Sequence, residues 1–213
     1  MVATIIKNVN ITNLIINSTK YRQDFAIIAG WINFGSKVLD LGCGDGTLLT
    51  YLRNSLEVKG YGVEKDDVNW LACLQNGTNV IQMDLEAGLS GFEDQSFDTV
   101  ILSKTLQAMH NTEEIVQEML RVGREVIVTF PNFGYWRNRL QIVGGGRMPV
   151  SKILPYQWFD TPNVHLCTIH DFDQFCKNYK ISVIERKVIT NGNEIDIMPN
   201  LLGNLAMYRL KSS

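Results

Sequence analysis

The stretch Lys37-Val38-Leu39-Asp40-Leu41-Gly42-Cys43-Gly44-Asp45-Gly46-Thr47 decides the fold of this chain. Residues 37–41 are mostly apolar and β-rich, which predicts a short buried strand. The three glycines that follow permit backbone angles and close approaches that a Cβ would forbid. A helix is predicted to begin at Thr47, so the glycine turn faces a helix N-terminus, whose backbone N–H groups attract polar ligands. The stretch therefore predicts a pocket for a nucleotide-type ligand.

The spacing of the glycines narrows the class of ligand. Dinucleotide folds use G-x-G-x-x-G, whereas this chain has glycines at 42, 44 and 46, with Thr47 following. A Walker phosphate loop is excluded, because neither this loop nor residues 144–147 contain Gly-Lys-Ser/Thr at the required spacing. The pattern D-x-G-x-G-x-G resembles the S-adenosylmethionine loop of class I methyltransferases.

Composition excludes several classes of protein. The chain has 213 residues, which fits a single domain, and its formal net charge of −2 predicts no broad attraction to nucleic acid or to an anionic membrane. The four cysteines form no C-x-x-C pair and do not combine with the three histidines at zinc-ligand spacing, so no metal site is predicted. No apolar segment reaches membrane-spanning length. We expect a reduced, cytoplasmic protein.

Strands alternate with helices along the chain, which predicts a largely parallel sheet. The further predicted strands are 58–64, 79–84, 97–103 and 126–130, and the further predicted helices are 66–75, 111–122 and 169–179. Residues 181–188 and 205–210 are predicted to form an antiparallel C-terminal hairpin. The expected fold is α/β and Rossmann-like, with a seven-stranded, mostly parallel sheet and helices on both faces, in one domain over residues 1–213.

Residues 131–166 are the one long stretch without a regular pattern. They contain the triple glycine and four of the five prolines. Connections of this length inside a domain are commonly lids or binding segments, so residues 131–168 are predicted to be a lid or an insertion that contacts a partner or substrate. The basic residues at 137–139 and 147–152 are interpreted as a partner contact, because the slight acidity of the chain disfavours a nucleic-acid patch.

Polar residues stand at the carboxyl ends of four predicted strands, where open parallel sheets bind their ligands. They are Asp40, Glu64, Asp84 and Ser103. Glu64 follows the first glycine by 22 residues, the distance at which a carboxylate accepts hydrogen bonds from a ribose diol. Asp84 is placed to accept from an adenine amino group while the backbone N–H of Leu85 donates to a ring nitrogen. These residues predict an adenosine site.

Structural roles compete with these assignments. Glu64 alternatively caps the next helix, and Asp84 alternatively makes a turn before Gly88. Asp40 is interpreted as organising the glycine loop, or as contacting the ligand's ammonium group through water, and not as an acid or base. Cys43 has no partner base in the sequence pattern and is assigned no reaction.

Longer strings of residues resemble one family within the class I S-adenosylmethionine-dependent methyltransferase superfamily. They are DLGCGDGTLL (40–49), DTVILSKTLQA (98–108), FPNFGYWR (130–137), GRMPV (146–150), LPYQWFDTPN (154–163) and HLCTI (165–169). These strings resemble the MetW family of methionine-biosynthesis proteins, and the resemblance extends over roughly residues 20–210. It implies a bacterial protein that is associated with homoserine O-acyltransferase and has a methyltransferase fold, but it does not identify a methyl acceptor.

The same resemblance implies that the cofactor is S-adenosylmethionine or S-adenosylhomocysteine. The implied cofactor-binding residues are Gly42, Gly44 and Gly46 at the methionine moiety, Glu64 at the ribose, and Asp84 with Leu85 at the adenine, together with Asp40 and Ser103. Tyr21 and Arg22 are expected to close over the cofactor carboxylate.

Two functions from different classes remain open on the sequence. Residues 103–106 replace the Asn/Asp-Pro-Pro-Tyr/Phe motif that many amino-methyltransferases carry after the fourth strand, which disfavours an amide or nucleobase N-methyltransferase. His110, His165 and His170 have no carboxylate partner that the sequence can place, so no catalytic residue is predicted. One function is an S-adenosylmethionine-binding protein that acts with homoserine O-acyltransferase. The alternative is a small-molecule methyltransferase with an unknown acceptor, and a nicotinamide oxidoreductase is a distant third.

Overall fold

A single eight-stranded sheet forms the centre of the computed structural model, which describes residues 23–212. The strands are β1 (Lys37–Leu41), β2 (Lys59–Glu64), β3 (Asn79–Gln82), β4 (Phe97–Ser103), β5 (Gly123–Pro131), β6 (Ile181–Thr190), β7 (Asn193–Glu194) and β8 (Leu205–Ser212). Their order across the sheet is β3-β2-β1-β4-β5-β8-β6-β7.

The pairing of the strands confirms the predicted α/β fold class. Strands β1 to β5 are parallel to one another, while β8 runs antiparallel to both β5 and β6. The predicted C-terminal hairpin is therefore present, as the β6–β8 pair. The difference from the predicted seven strands is β7, a two-residue strand at the edge of the sheet that pairs with β6.

Helices cover both faces of this sheet. They are α1 (Gln23–Gly30), α2 (Thr47–Leu56), α3 (Asp67–Gln75), α4 (Thr112–Val122), α5 (Trp136–Gly145), α6 (Ile169–Asn178) and α7 (Pro199–Leu202), with 3-10 turns at Leu85–Ala87 and Leu106–Ala108. Residues along a strand alternate between the two faces. Val100 and Leu102 of β4 accordingly pack with α4 and α6, whereas Ile101 packs with α1 and α2. The two cores fix the carboxyl ends of the parallel strands at one edge.

Helix α5 corrects one expectation about residues 131–166. The prediction that this stretch is irregular is wrong over Trp136–Gly145, which is helical. Asn138 is the only buried residue of α5, so the helix has no apolar stripe that faces the core. The role of residues 131–168 as a lid or insertion stays a prediction.

Asn132, just after β5, ties this insertion to the rest of the fold. Its side chain is buried, and its Nδ2 donates to the carbonyl oxygens of Asn200 (3.0 Å) and Gly203 (2.8 Å). Its Oδ1 accepts from the backbone N–H groups of Gly134 (3.0 Å) and Ile169 (3.3 Å). One side chain thus joins the start of α6, the α7 segment and the first turn of the insertion.

We expect the substitution Asn132→Leu to lower the free energy of unfolding by about 2–4 kcal/mol, because leucine leaves the carbonyl oxygens of Asn200 and Gly203 and the N–H of Gly134 without this partner, while the N–H of Ile169 keeps Asn200 Oδ1 at 3.1 Å. Urea denaturation measures the change. Asn54→Leu, on the exposed surface of α2, is the matched control and should have little effect. Equal stability of the two variants would contradict the role assigned to Asn132.

Candidate functional site

The glycine loop between β1 and α2 has left-handed backbone conformations at three alternate positions. Gly42, Gly44 and Gly46 have φ of +68°, +57° and +75°, a region that strains residues bearing a Cβ. The loop is tied to β2, because the backbone N–H groups of Gly42 and Cys43 both donate to the carbonyl oxygen of Val63, at 2.8 and 3.1 Å. The predicted strand–glycine turn–helix unit is therefore present with a fixed backbone path.

Glu64, the last residue of β2, holds the loop from the other side. Its Oε2 accepts from the backbone N–H of Gly44 at 2.8 Å, and its Oε1 accepts from the N–H groups of Lys65 and Asp66, both at 2.9 Å. The side chain is 8% exposed. The N-cap of α3 is Asp66, which accepts from the N–H of Asn69 at 2.9 Å. Glu64 is therefore a bridge between the glycine loop and the β2–α3 turn.

A cavity of about 500 Å³ lies at the carboxyl ends of β1, β2, β3 and β4. Six of the eight predicted cofactor-binding residues line it: Gly42, Gly44, Glu64, Asp84, Leu85 and Ser103. Four strand ends that are far apart in sequence thus converge on one cavity, as the parallel-sheet argument predicts. Their contact with a cofactor stays a prediction.

Two predicted residues lie outside this lining. Asp40 is buried within β1, and Gly46 faces α3, because a Cβ at that position would approach both Cys73 Sγ and Thr78 Oγ1 to 3.0 Å. Gly46 is therefore required by packing against the next helix. Tyr21 and Arg22 lie outside the described residues.

Asp84 combines the two roles that the sequence left open. It caps the 3-10 turn Leu85–Ala87 by accepting from the N–H of Glu86 at 3.1 Å, and it also lines the cavity. Lys65 Nζ lies 3.7 Å from its carboxylate, and both side chains are exposed. Leu85 is buried beside it. The turn role is thus compatible with a ligand contact at the mouth of the cavity.

Sequence reasoning did not assign the remaining residues of the lining to the site. They are Val63, Lys65, Asn69, Met83, Glu86, Lys104, Thr105, Ala108, Met109 and Pro162. Lys104 is the most unusual of these, since its φ of +59° is rare for a residue with a side chain, and its Nζ lies 3.1 Å from buried Asp24. Its place directly after predicted strand end Ser103 was the one signal in the sequence. Pro162 belongs to the 131–168 insertion, so the insertion contributes to the wall of the cavity.

The comparison with known proteins now decides the family. Residues 22–210 match the family described as "Methionine biosynthesis protein MetW". The chain belongs to the MetW family. A relative from Rhodopirellula baltica, named "Bifunctional methionine biosynthesis protein MetXA/MetW", is 40% identical over 187 residues, which make up 81% of this chain and 30% of the relative. The MetW-family chain therefore spans less than a third of that relative's length.

Solved structures show the fold of this MetW-family chain. A SAM-dependent methyltransferase from Archaeoglobus fulgidus has a TM-score of 0.61 at 15% identity, covering 94% of this chain and 99% of that one. The [4+2]-cyclase SpnF has a TM-score of 0.64 at 14% identity, covering 88% and 80%. At this identity the likeness establishes the methyltransferase fold alone, and the second protein is named for a different reaction.

Two cysteines of the MetW-family chain pack beneath the glycine loop. Cys43 Sγ and Cys73 Sγ are 3.6 Å apart, and Cys73 Sγ lies 3.0 Å from the carbonyl oxygen of Gly44. Burial raises the pKa of both thiols, so neither is held as a thiolate at neutral pH. Their position indicates packing and not a nucleophile.

A second cavity, of about 850 Å³, lies between α4 and α6. It is lined by Leu106, Gln107, His110, Asn111, Thr112, Glu113, Glu114, Gln117, His165, Cys167, Asp171, Phe172 and Phe175, and it shares no described lining residue with the glycine-loop cavity. His110 does have a carboxylate neighbour, Glu86, with Nδ1 and Oε1 3.3 Å apart, which the sequence could not place.

Within residues 23–212, no helix combines the length and apolar character needed to cross a bilayer.

Proposed function

We propose that this MetW-family chain binds S-adenosylmethionine or S-adenosylhomocysteine in the glycine-loop cavity and acts with homoserine O-acyltransferase in the cytoplasm, as part of methionine biosynthesis. The observation that carries the proposal is Glu64, a carboxylate at the wall of the cavity whose Oε2 is held 2.8 Å from the N–H of Gly44. The family indicates a role in methionine biosynthesis, and the residues that line the cavity indicate the kind of ligand.

An adenosine moiety suits the described lining. Oε1 of Glu64 accepts two backbone N–H groups but Oε2 accepts only one, so Oε2 keeps a lone-pair direction that can accept from a ribose hydroxyl. Asp84 and Leu85 follow the neighbouring strand β3 and line the same cavity as Glu64, which supports their assignment to the adenine base. Met83 and Met109 offer polarisable apolar surface to the base. The cavity volume of about 500 Å³ is in the usual range for such ligands.

The choice of partner is supported by the organisation of the relative from Rhodopirellula baltica. Its name joins MetXA, a homoserine O-acyltransferase, to MetW, and the MetW part aligned here accounts for 30% of its length. One polypeptide that carries both parts supports association of the two when they are separate chains. The charge of the chain, −2, gives no support to a nucleic-acid partner.

The lining of the cavity favours binding over methyl transfer. Proton removal from an acceptor needs a base within about 3 Å of the reacting proton. Among the described lining residues there is no histidine, cysteine or tyrosine, His110 belongs to the other cavity, and the carboxylates of Asp84 and Glu86 accept from the backbone N–H groups of Glu86 and His110. The carboxylate of Glu64 is occupied by three backbone donors. We therefore assign the chain the role of a ligand-binding subunit.

Calorimetric titration of the purified full chain tests the ligand. S-adenosylhomocysteine should bind saturably with a stoichiometry of one, and Asp84→Ala should weaken binding about tenfold, since it removes one hydrogen-bonding carboxylate at the rim. NADH should not compete. Absence of saturable binding of both S-adenosyl compounds would overturn the proposal, and tight binding of NADH would favour an oxidoreductase.

The role is tested by mixing the chain with purified homoserine O-acyltransferase and following acyl transfer, with and without S-adenosylmethionine carrying a labelled methyl group. A subunit should change the rate of acyl transfer or the stability of the acyltransferase and leave the label on the ligand. Transfer of the label to a defined metabolite, abolished by Asp84→Ala, would instead establish a methyltransferase.

A further inference from the structure

The insertion presents a large apolar face to solvent. Trp136, Leu140 and Val143 lie at helical spacing along one side of α5 and are 37%, 58% and 84% exposed. Trp158 and Phe159 follow in the same insertion, 73% and 69% exposed and in edge contact with each other. We call this set, together with Met148, the α5 face. Apolar side chains that cluster on a surface in this way indicate a binding site for another molecule.

The two parts of the α5 face belong to one insertion, which folds back on α5. The backbone N–H of Val150 donates to Gln141 Oε1 of α5 at 3.1 Å, which holds residues 148–154 against the helix. Met148 and Trp158 then line the same shallow depression of about 40 Å³. The fully exposed areas of two tryptophans and one phenylalanine are about 150–250 Å² each. Trp136, at 37% exposed, presents little more than a third of that area, whereas Trp158 and Phe159, at 73% and 69%, present most of theirs.

The charges of this region are mainly positive. Residues 131–168 contain Arg137, Arg139, Arg147 and Lys152 and a single acidic residue, Asp160, although the whole chain has a net charge of −2. All four basic side chains are exposed. The guanidinium of Arg137 lies 5.3 Å from the ring centroid of Trp136, so a cation borders the apolar surface directly. A complementary surface is therefore apolar at its centre and acidic at its rim.

We propose that the α5 face is the surface on which the acyltransferase partner docks, through an apolar patch with an acidic rim. This inference rests on the proposed function for the identity of the partner. A second copy of the chain is a poorer occupant, because a two-fold contact would bring the same four cations together from both copies. Trp158 is the expected anchor, since exposed tryptophans at the centre of an interface carry much of its binding energy.

The test measures the dissociation constant between the full-length chain and purified homoserine O-acyltransferase by calorimetry. Trp158→Ala and Val143→Asp should each weaken binding at least 30-fold, and Arg137→Glu about tenfold. The matched controls are Val68→Asp and Lys177→Glu, at exposed positions of α3 and α6. Both variants should bind the acyltransferase as the parent chain does. Unchanged thermal midpoints and unchanged S-adenosylhomocysteine affinity show that the variants fold.

The outcomes separate this inference from the proposed function. If the parent chain does not bind the acyltransferase, the proposed partnership fails. If it binds and the α5-face variants bind equally well, the docking surface is wrong while the partnership stands. Light scattering and sedimentation with vesicles of neutral and anionic phospholipid are run in parallel. Self-association or vesicle binding that Val143→Asp abolishes, without an effect on the acyltransferase, would assign the face to another occupant.

Discussion

Glu64→Gln is expected to weaken the binding of S-adenosylhomocysteine about 100-fold and to lower the free energy of unfolding by about 2–3 kcal/mol. The carboxylate accepts three backbone N–H groups, from Gly44 on one oxygen and from Lys65 and Asp66 on the other. A glutamine must place its NH₂ group against one of these sets of donors. Either choice leaves a buried N–H without an acceptor and releases one side of the glycine loop.

Two controls separate the effects of this substitution on the fold and on the ligand. Glu93→Gln, on the exposed surface, should change neither quantity. Asp84→Asn should weaken the binding of the ligand but hardly change the free energy of unfolding, because Asp84 is exposed and accepts from a single backbone N–H at 3.1 Å. Denaturation in urea and titration with S-adenosylhomocysteine measure the two quantities. Glu64→Gln with the affinity of the parent chain would rule out Glu64 as the ribose acceptor.

The second large effect is expected for Gly62→Ala in β2, which should cost about 2–3 kcal/mol of stability. A Cβ at Gly62 would lie 2.5 Å from Cys43 Sγ and 3.2 Å from Cys43 Cβ, so the glycine loop must move. The backbone of Gly62 does not have the positive φ that disfavours alanine, and the cost is therefore steric. Ligand affinity should fall together with stability, because Cys43 lies between two glycines that line the cavity.

A double-mutant cycle tests this steric origin. Cys43→Ala alone should cost about 1 kcal/mol for the lost buried sulfur. The double variant Cys43→Ala/Gly62→Ala should be more stable than the sum of the single effects predicts, by about 1–2 kcal/mol. Gly60→Ala in the same strand is the matched control, since its Cβ would meet only the flexible end of Leu49. Additive effects in the cycle would refute the clash with Cys43.

Strands β1 and β4 could be predicted from the sequence because they are buried on both faces. Strands β1 and β4 were predicted with the bounds that the structure shows, Lys37–Leu41 and Phe97–Ser103. Such strands appear as short continuous apolar runs that end at polar residues or glycines. Helix α6 was predicted from residue 169, and its start is fixed by a capping box between Thr168 and Asp171.

Elements with little buried surface could not be predicted in this way. Helix α5 buries only Asn138, and β7 consists of two exposed residues, so neither has the buried apolar face by which the other elements were predicted. The role of Asn132 could not be predicted either, because its four partners lie up to 71 residues away along the chain.

The candidate site shows the same division. Residues at the ends of strands, such as Glu64 and Asp84, could be found because topology alone places them at one edge. Glycine spacing could not distinguish Gly44, which lines the cavity, from Gly46, which packs against α3. Pro162 could not be assigned at all, because it reaches the cavity from a distant insertion.

The segment around Pro162 has one further consequence. Pro162 is part of the wall of the glycine-loop cavity, three residues after Phe159 of the α5 face, and the N–H groups of Val164 and His165 anchor the segment to the carbonyl oxygen of Gln107. Ligand and partner would therefore contact the two ends of one short tether. In a closed thermodynamic cycle, any factor by which the ligand changes the partner's affinity must equal the factor by which the partner changes the ligand's affinity. Coupling through this tether would make the affinity of the acyltransferase complex for S-adenosylmethionine differ from that of the free chain by that same factor, and the S-adenosylmethionine level in the cell would then change how much of the complex forms.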